Sequence, residues 1–304
     1  MTTRFFELKT YLKGRQELIN AHLKQLIPSD TSPAFRLFEA MRYSLMAGGK
    51  RLRPILALAA FDAVNHKRLP IETAMPFACA LECIHTYSLI HDDLPAMDDD
   101  ALRRGIPTCH KKFGEAIAIL AGDALLTLAF DICSNSPSEC PISATTRLKA
   151  INLMAQAAGM NGMVAGQTAD MELEGREISE KELDYIHSRK TGALLQASVL
   201  LGGILAETSE RNLQALTQYG AHIGLAFQIR DDILDIEGDE KIMGKPKGSD
   251  ERKKKATWPA VYGMKQAKAR MQELCKLAIQ DIATLNDQAV PLKAIAEYVM
   301  RRDH

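Results

Sequence analysis

The chain has 304 residues, 46% of them hydrophobic, with 38 Lys plus Arg balanced by 38 Asp plus Glu. This length allows one large domain or two smaller ones, and zero net charge argues against a general nucleic-acid binder, which would usually be basic. No apolar run approaches the ~18 residues expected of a transmembrane helix, and MTTRFFELKTYLKGR at the N-terminus lacks the apolar core of a signal peptide. The expectation is therefore no membrane span and a cytoplasmic location. Six cysteines (79, 83, 109, 133, 140 and 275) show no paired metal-type spacing. Cys79 and Cys83, one helical turn apart, read as small core residues of a reduced protein.

Helical periodicity dominates the chain, and no convincing period-2 strand is found. Residues 4–26 read as an amphipathic helix, stopped by PSDTSP, whose two prolines break helices. A helix over 34–47 ends at Gly48-Gly49. The loop GGKRLRP follows, and Pro54 opens a helix to about Asn65. HKRLP is a turn, residues 71–93 form a long helix, and 94–113 form a loop. Helices are expected over 115–133 and 142–173. SEKE (179–182) is a capping box, with Ser179 as N-cap and Glu182 three residues on. The helix it opens continues to about Ala206, with a bend at Lys190-Thr191-Gly192. Ser209 caps the next helix. Residues 237–256 read as a polar, mobile loop, and two or three short helices close the chain. The absence of a linker, repeat or low-complexity tract points to an all-α fold, a single large helical bundle over residues 1–304.

Two acidic clusters interrupt this pattern. The stretch IHTYSLIHDDLPAMDDDALRR (84–104) holds Asp92, Asp93, Asp98, Asp99 and Asp100 at the end of an apolar helix, followed by Arg103 and Arg104. Asp231, Asp232 and Asp235 end a second apolar helix, with Asp231 and Asp235 on one face. An exposed like-charge pair on a helix costs only about 0.2–0.5 kcal/mol, so a solvated face is one reading. Both clusters, however, lie at helix C-termini, where the macrodipole disfavours anions. Pro95 breaks the first helix, and two extra residues there can return Asp98 to Asp92. Carboxylates held 4 Å apart repel by about 4 kcal/mol at an effective dielectric near 20. A divalent cation resolves this, and an oxygen-only donor set suits Mg²⁺ or Mn²⁺. Magnesium held by a few carboxylates usually shares its shell with substrate phosphates. Lys50 and Arg53 at a helix start, Arg103 and Arg104, and Lys190, Lys245 and Lys255 supply the matching positive charge. Neither a phosphate-binding P-loop nor a dinucleotide fingerprint is present, and Arg252–Lys255 also reads as a solvated loop.

Taken together, GGKRLRP (48–54), residues 82–110, GEAIAILAGDALLTLAF (114–130), GQTADM (166–171), HSRKTGALL (187–195), GLAFQIRDDILD (224–235) and GK with KATWPA (244–245, 255–260) resemble the short-chain trans-prenyltransferases. The likeness is greatest to bacterial members that make farnesyl diphosphate. It covers nearly the whole chain, and the longer first motif, DDxxxxD, is the bacterial form. It implies helices around a deep central cavity with both Asp motifs facing each other at its mouth, in an isoprenoid-synthase domain. It implies three Mg²⁺ ions, for which Mn²⁺ can substitute, held chiefly by Asp92, Asp98 and Asp231 with Asp93, Asp232 and Asp235 in support. Arg103, Lys190, Thr191, Gln228, Lys245 and Lys255 would contact the allylic diphosphate; Lys254 can stand in for Lys255. Lys50, Arg53, His85 and Arg104 would hold isopentenyl diphosphate, and a homodimer is implied. The expected catalytic set is Asp92, Asp98, Arg103, Lys190, Asp231 and Lys245.

The tail of the growing product is expected to run down the helix that carries Asp92. Tyr87, about 7.5 Å below Asp92 at 1.5 Å per residue, is then the candidate floor, with Ser88 above it and Ile84 on an adjoining stripe. The activity implied is condensation of isopentenyl diphosphate with dimethylallyl and geranyl diphosphate to give (2E,6E)-farnesyl diphosphate. The rivals are a twenty-carbon synthase of the same family, a class I terpene cyclase and a non-catalytic subunit. A cyclase would need neither DDILD nor Lys50, Arg53 and His85, and a silent subunit tends to lose one Asp motif.

Overall fold

The computed structural model describes residues 6–29, 31–135, 141–238 and 255–302. Nearly all of the regular structure is helical: α1 (Leu8–Leu26), α2 (Phe35–Leu45), α3 (Leu52–Val64), α4 (Met75–Asp92), α5 (Cys109–Phe113), α6 (Glu115–Ser134), α7 (Ala144–Ala158), α8 (Met163–Glu172), α9 (Glu180–His187), α10 (Ala193–Leu205), α11 (Glu210–Glu237), α12 (Trp258–Tyr262), α13 (Met264–Asp281) and α14 (Val290–Arg301). The exception is a two-stranded hairpin, β1 (Leu102–Arg103) with β2 (Ile106–Pro107). The described chain divides into two compact units. One holds residues 9–58 and 70–142, with the first acidic motif; the other holds 1–8, 59–69 and 143–304, with the second.

In the first-motif unit, α4 packs on α6, and α2 packs on both. Helix α4 is apolar on nearly every side, so residues Met75 to Ile84 are buried almost without break. Glu82 is the exception in that run, 2% exposed. A buried carboxylate requires a charged partner, and Arg51 from the GGKRLRP loop supplies one at 2.6 Å. Arg51 also donates to the Leu45 carbonyl at 2.6 Å and to Asn20 at 2.9 Å. The pair pins the loop to α4 and leaves Lys50 and Arg53 on either side of it.

In the second-motif unit, α10 lies against α7 and α11, and α11 packs along α13 and α14. Ser179 and Glu182 form the reciprocal capping box, and Ser209 accepts from Asn212 N–H at the start of α11. The helix expected over 142–173 is two helices. Gly159 and Gly162 flank the break, and Gly162 N–H turns back to the Gly159 carbonyl at 3.0 Å, because glycine is costly to hold in a helix interior. The bend expected at Lys190-Thr191-Gly192 is a π-helical turn over Ser188–Gly192. Such turns concentrate at functional sites.

One expectation is corrected. The loop expected over 94–113 contains the hairpin and α5, elements too short for a periodic signal. Helix α6 is long and apolar enough to cross a membrane, with mean hydropathy 1.9 over an 18-residue window of which 33% is buried. It carries Glu115, Asp123 and Asp131, and a helix packed in a core can be equally apolar, so it is weak evidence for a span.

Removing one member of the Arg51–Glu82 pair strands a buried charge, which costs about 3–5 kcal/mol. Glu82→Ala is expected to lose that much in urea unfolding, whereas Arg51→Met with Glu82→Leu recovers most of it. Equal losses in both variants would contradict the assignment.

Candidate active site

The first acidic motif is built by the way α4 ends. Beyond Asp92 the chain turns tightly: Leu94 N–H bonds the His91 carbonyl, and Met97 and Asp99 N–H both bond the Leu94 carbonyl. Asp98 N–H then donates to the Asp92 carbonyl at 2.8 Å. The helix's last carbonyls are thereby satisfied. The break at Pro95 returns Asp98 to Asp92, as the spacing suggested. Asp92 and Asp98 are half-buried, while Asp93 is 3% exposed. Both Asp93 oxygens accept from Arg103 Nε at 2.8 Å. Desolvation works against the charge on Arg103, but Asp93, Asp92 and Asp100 more than offset it and raise its pKa.

The hairpin sets the next arginine. Arg104 (φ 53°) and Gly105 (φ 79°) are its two-residue loop, the left-handed pair that matches strand twist. The Arg104 guanidinium donates to the Gly48 carbonyl and fills the space over Gly49, where a Cβ would come within 2.7 Å of it. Gly49 also has φ +119°, so a side chain is excluded there twice over. Desolvation, then the guanidiniums of Arg53, Arg104, Arg103 and Arg51, hold His85 well below its usual range, so it is a neutral imidazole. Lys50 is exposed and Arg53 half-buried. Further down α4, Tyr87 is 7% exposed and Ile84 fully buried. Ser88 is occupied in donating to the His85 carbonyl at 2.9 Å.

The second motif lies on α11. Asp231 and Asp235, one turn apart, are half-buried, and Asp231 accepts from Arg302. Arg302 is buried, stacked over Phe227 at 3.9 Å. Asp232 faces inward and is 2% exposed. Its Oδ1 accepts from Gln228 at 2.9 Å and its Oδ2 from Trp258 N–H at 2.8 Å. Gln228 in turn accepts from Thr191 at 2.5 Å. Through these bonds Asp232, expected in support of the principal ligands, also ties the π-turn and α12 to α11.

The π-turn is clamped from two sides. A Cβ at Gly166 of α8 would sit 2.1 Å from the Lys190 nitrogen, and one at Gly224 of α11 would sit 3.2 Å from Gly192 Cα. Lys190 bonds Asp170 at 2.5 Å, and Lys255 lies 4.0 Å from the same carboxylate. Asp170, absent from the expected site, thus gathers two of its lysines. Its signal was a lone acid in the small-residue run GQTADM. Buried His187 lies 3.6 Å from Asp232; desolvation lowers its pKa to about 4. Lys245 and Lys254 lie outside the described residues.

Among the described residues no three His, Cys, Asp or Glu side chains converge on one point. The half-buried acids at the motifs are Asp92 and Asp98 in one and Asp231 and Asp235 in the other, an oxygen-only donor set. That fits a hard cation that completes its shell with phosphate oxygens and water, rather than a closed protein cage.

An all-α chain with two Asp-rich helix ends and clustered Arg and Lys side chains has the features of an isoprenoid synthase. The family model for polyprenyl synthetase matches residues 35–296, and the chain belongs to that family. It is 47% identical to the farnesyl diphosphate synthase of Geobacillus stearothermophilus over 297 residues, 98% of each chain. It is 44% identical to the geranylgeranyl diphosphate synthase of Cyanophora paradoxa over 98% of each. The crystal structure of an FPP/GFPP synthase from Zymomonas mobilis superposes with a TM-score of 0.85 at 37% identity, covering 97% of this chain and 99% of that one.

The buried histidine gives the stability a pH signature. Its folded pKa of about 4 lies below the unfolded value near 6.5, so the unfolded chain takes up the proton first as pH falls. Stability is complete above about pH 6.5 and declines towards pH 4, by about 3 kcal/mol at about 1.4 kcal/mol per unit. His85 is displaced in the same direction. His187→Gln is expected to flatten this decline in denaturation measured across pH 4–7; an unchanged slope would contradict it.

Proposed function

We propose that the chain is a magnesium-dependent farnesyl diphosphate synthase, condensing isopentenyl diphosphate with dimethylallyl and then geranyl diphosphate. The observation that carries the reading is the Arg104 seat on Gly48-Gly49 beside Arg53 and neutral His85. Arg53 and Arg104 facing a neutral imidazole support a site for a second, homoallylic diphosphate, which a cyclase would not need. Isopentenyl diphosphate is held there by Lys50, Arg53, His85 and Arg104. The allylic diphosphate is held by Arg103, Lys190, Thr191, Gln228, Lys245 and Lys255. The residues proposed to hold magnesium are Asp92, Asp98, Asp231 and Asp235, with Asp93 and Asp232 supporting them from behind. Three ions, and Mn²⁺ as a substitute, belong to this reading.

Magnesium, when bound, neutralises the charge that develops on the departing diphosphate. Arg103 and Lys190, already held by Asp93 and Asp170, stabilise that charge with little reorganisation. As the allylic C–O bond breaks, the double bond of isopentenyl diphosphate attacks the cation, and the proton lost afterwards goes to the released diphosphate. Apolar side chains of α4 exclude water that would quench the cation. Tyr87 is the proposed floor, with Ser88 and Ile84 beside it, which favours fifteen carbons over the twenty-carbon alternative.

The whole chain acts as one catalytic domain in this reading, and as a cytoplasmic homodimer. Ile119 is 43% and Leu120 53% exposed on α6, an apolar stripe that a second copy would cover. The five described cysteines are free, buried thiols, suited to a reducing compartment.

With Mg²⁺ and both five-carbon substrates, chromatography of the products is expected to give mainly farnesyl diphosphate, and excess EDTA to abolish turnover. Full turnover in EDTA would contradict the reading. Tyr87→Ala is expected to lengthen the main product to twenty carbons or more. Leu120→Glu is expected to yield monomers in sedimentation; an unaltered dimer would remove α6 from the interface.

A further inference from the structure

Tyr87 does not stand alone on α4. One turn on, the His91 ring meets it edge to face, with ring centroids 5.7 Å apart and an interplanar angle of 83°. Such aromatic pairs contribute beyond their buried area and fix the angle of each ring. His91 is itself held from the far side. Its Nε2 lies 3.1 Å from the Ile119 carbonyl of α6, where it donates if it carries the proton, and 3.9 Å from Asp123. The ring reaches that carbonyl because α6 carries Gly122 beneath it. A Cβ at position 122 would fall 2.1 Å from His91 Nε2 and 2.5 Å from Cδ2. Glycine is therefore the residue that lets the ring enter, and the three atoms nearest to a Cβ placed there all belong to His91. Tyr87, His91 and Gly122 form a stack running from α4 into α6.

We propose that His91 is a positioning residue for product length: seated in the Gly122 notch, it props Tyr87 and so fixes where the growing tail stops. The inference rests on the reading of Tyr87 as the cavity floor. A tail extending against Tyr87 pushes on a side chain with rotational freedom about two bonds. Without a fixed neighbour the ring can swing aside and admit another five-carbon unit. With His91 held at the Ile119 carbonyl, that swing requires breaking the ring contact or displacing the imidazole from over Gly122. His91 touches no reacting atom in this account, so its loss alters the stopping point more than the rate of each condensation.

The test is product-length analysis of labelled prenyl diphosphates from wild type, Tyr87→Ala, His91→Ala, His91→Gln and Gly122→Ala. His91→Gln retains a donor but no ring edge, and Gly122→Ala expels the ring while leaving α4 intact. All three of these variants are expected to raise the share of products of twenty or more carbons several-fold. Adding His91→Ala to Tyr87→Ala should lengthen the product no further, because the prop has nothing left to hold. A merely structural role for His91 would lower yield without moving the length distribution. If Tyr87→Ala lengthens the product while the folded His91 and Gly122 variants keep the wild-type ratio, the prop is refuted and the floor stands. If Tyr87→Ala itself still stops at fifteen carbons, the floor reading fails and the proposal falls with it.

Discussion

The structure depends on how it manages carboxylates at the C-terminal ends of two apolar helices. The helix dipole disfavours an anion there by about 0.3–1 kcal/mol, and desolvation adds to the cost. In both motifs the chain applies the same division. The second acid of each Asp-Asp pair turns inward and is consumed by the protein: Asp93 by Arg103, and Asp232 by Trp258 N–H and Gln228. The first acid stays half-buried at the surface, with a further carboxylate nearby in sequence, Asp98 or Asp235. The inward acids organise the fold; the outward acids lie nearer solvent, and one of them, Asp231, accepts from Arg302.

The inward acids also determine where the basic residues stand. Asp93 fixes Arg103 and with it the hairpin that raises Arg104. Asp232 joins Gln228 to Thr191 and docks the start of α12, three residues after Lys255. Asp170 performs a similar service for Lys190 and Lys255. Arg103, Arg104 and Lys190 are therefore held by the protein's own carboxylates and carbonyls, the kind of preorganisation that electrostatic catalysis requires. The glycines at 49 and 166 contribute by omission: each leaves room for a cationic residue or its backbone to approach closely.

Much of this was legible in the sequence. Periodicity located the helices, capping residues located several of their starts, and the acidic clusters stood out against an apolar background. The return of Asp98 to Asp92 followed from Pro95 and the six-residue spacing. What escaped was whatever depends on residues distant in sequence. The Arg51–Glu82 pair joins two segments 31 residues apart; a single acid inside the apolar run of α4 was its one trace. Asp170 lies 20 residues from Lys190, and nothing local announces the contact. Asp232 was expected in support of Asp231; its bonds to Gln228 and Trp258 N–H were not foreseen, because adjacent positions on a helix point about 100° apart. Spacing identifies which carboxylates share a face; it does not say which face is buried. The hairpin at 102–107 was too short to set up an alternation.

The division between inward and outward acids can be measured without turnover. Mn²⁺ binding in the presence of inorganic diphosphate, followed by electron paramagnetic resonance, should be weakened strongly in Asp231→Asn. In Asp232→Asn it should remain near wild type, while the affinity for diphosphate falls as the π-turn loosens. Loss of Mn²⁺ binding in Asp232→Asn with retention in Asp231→Asn would contradict the account.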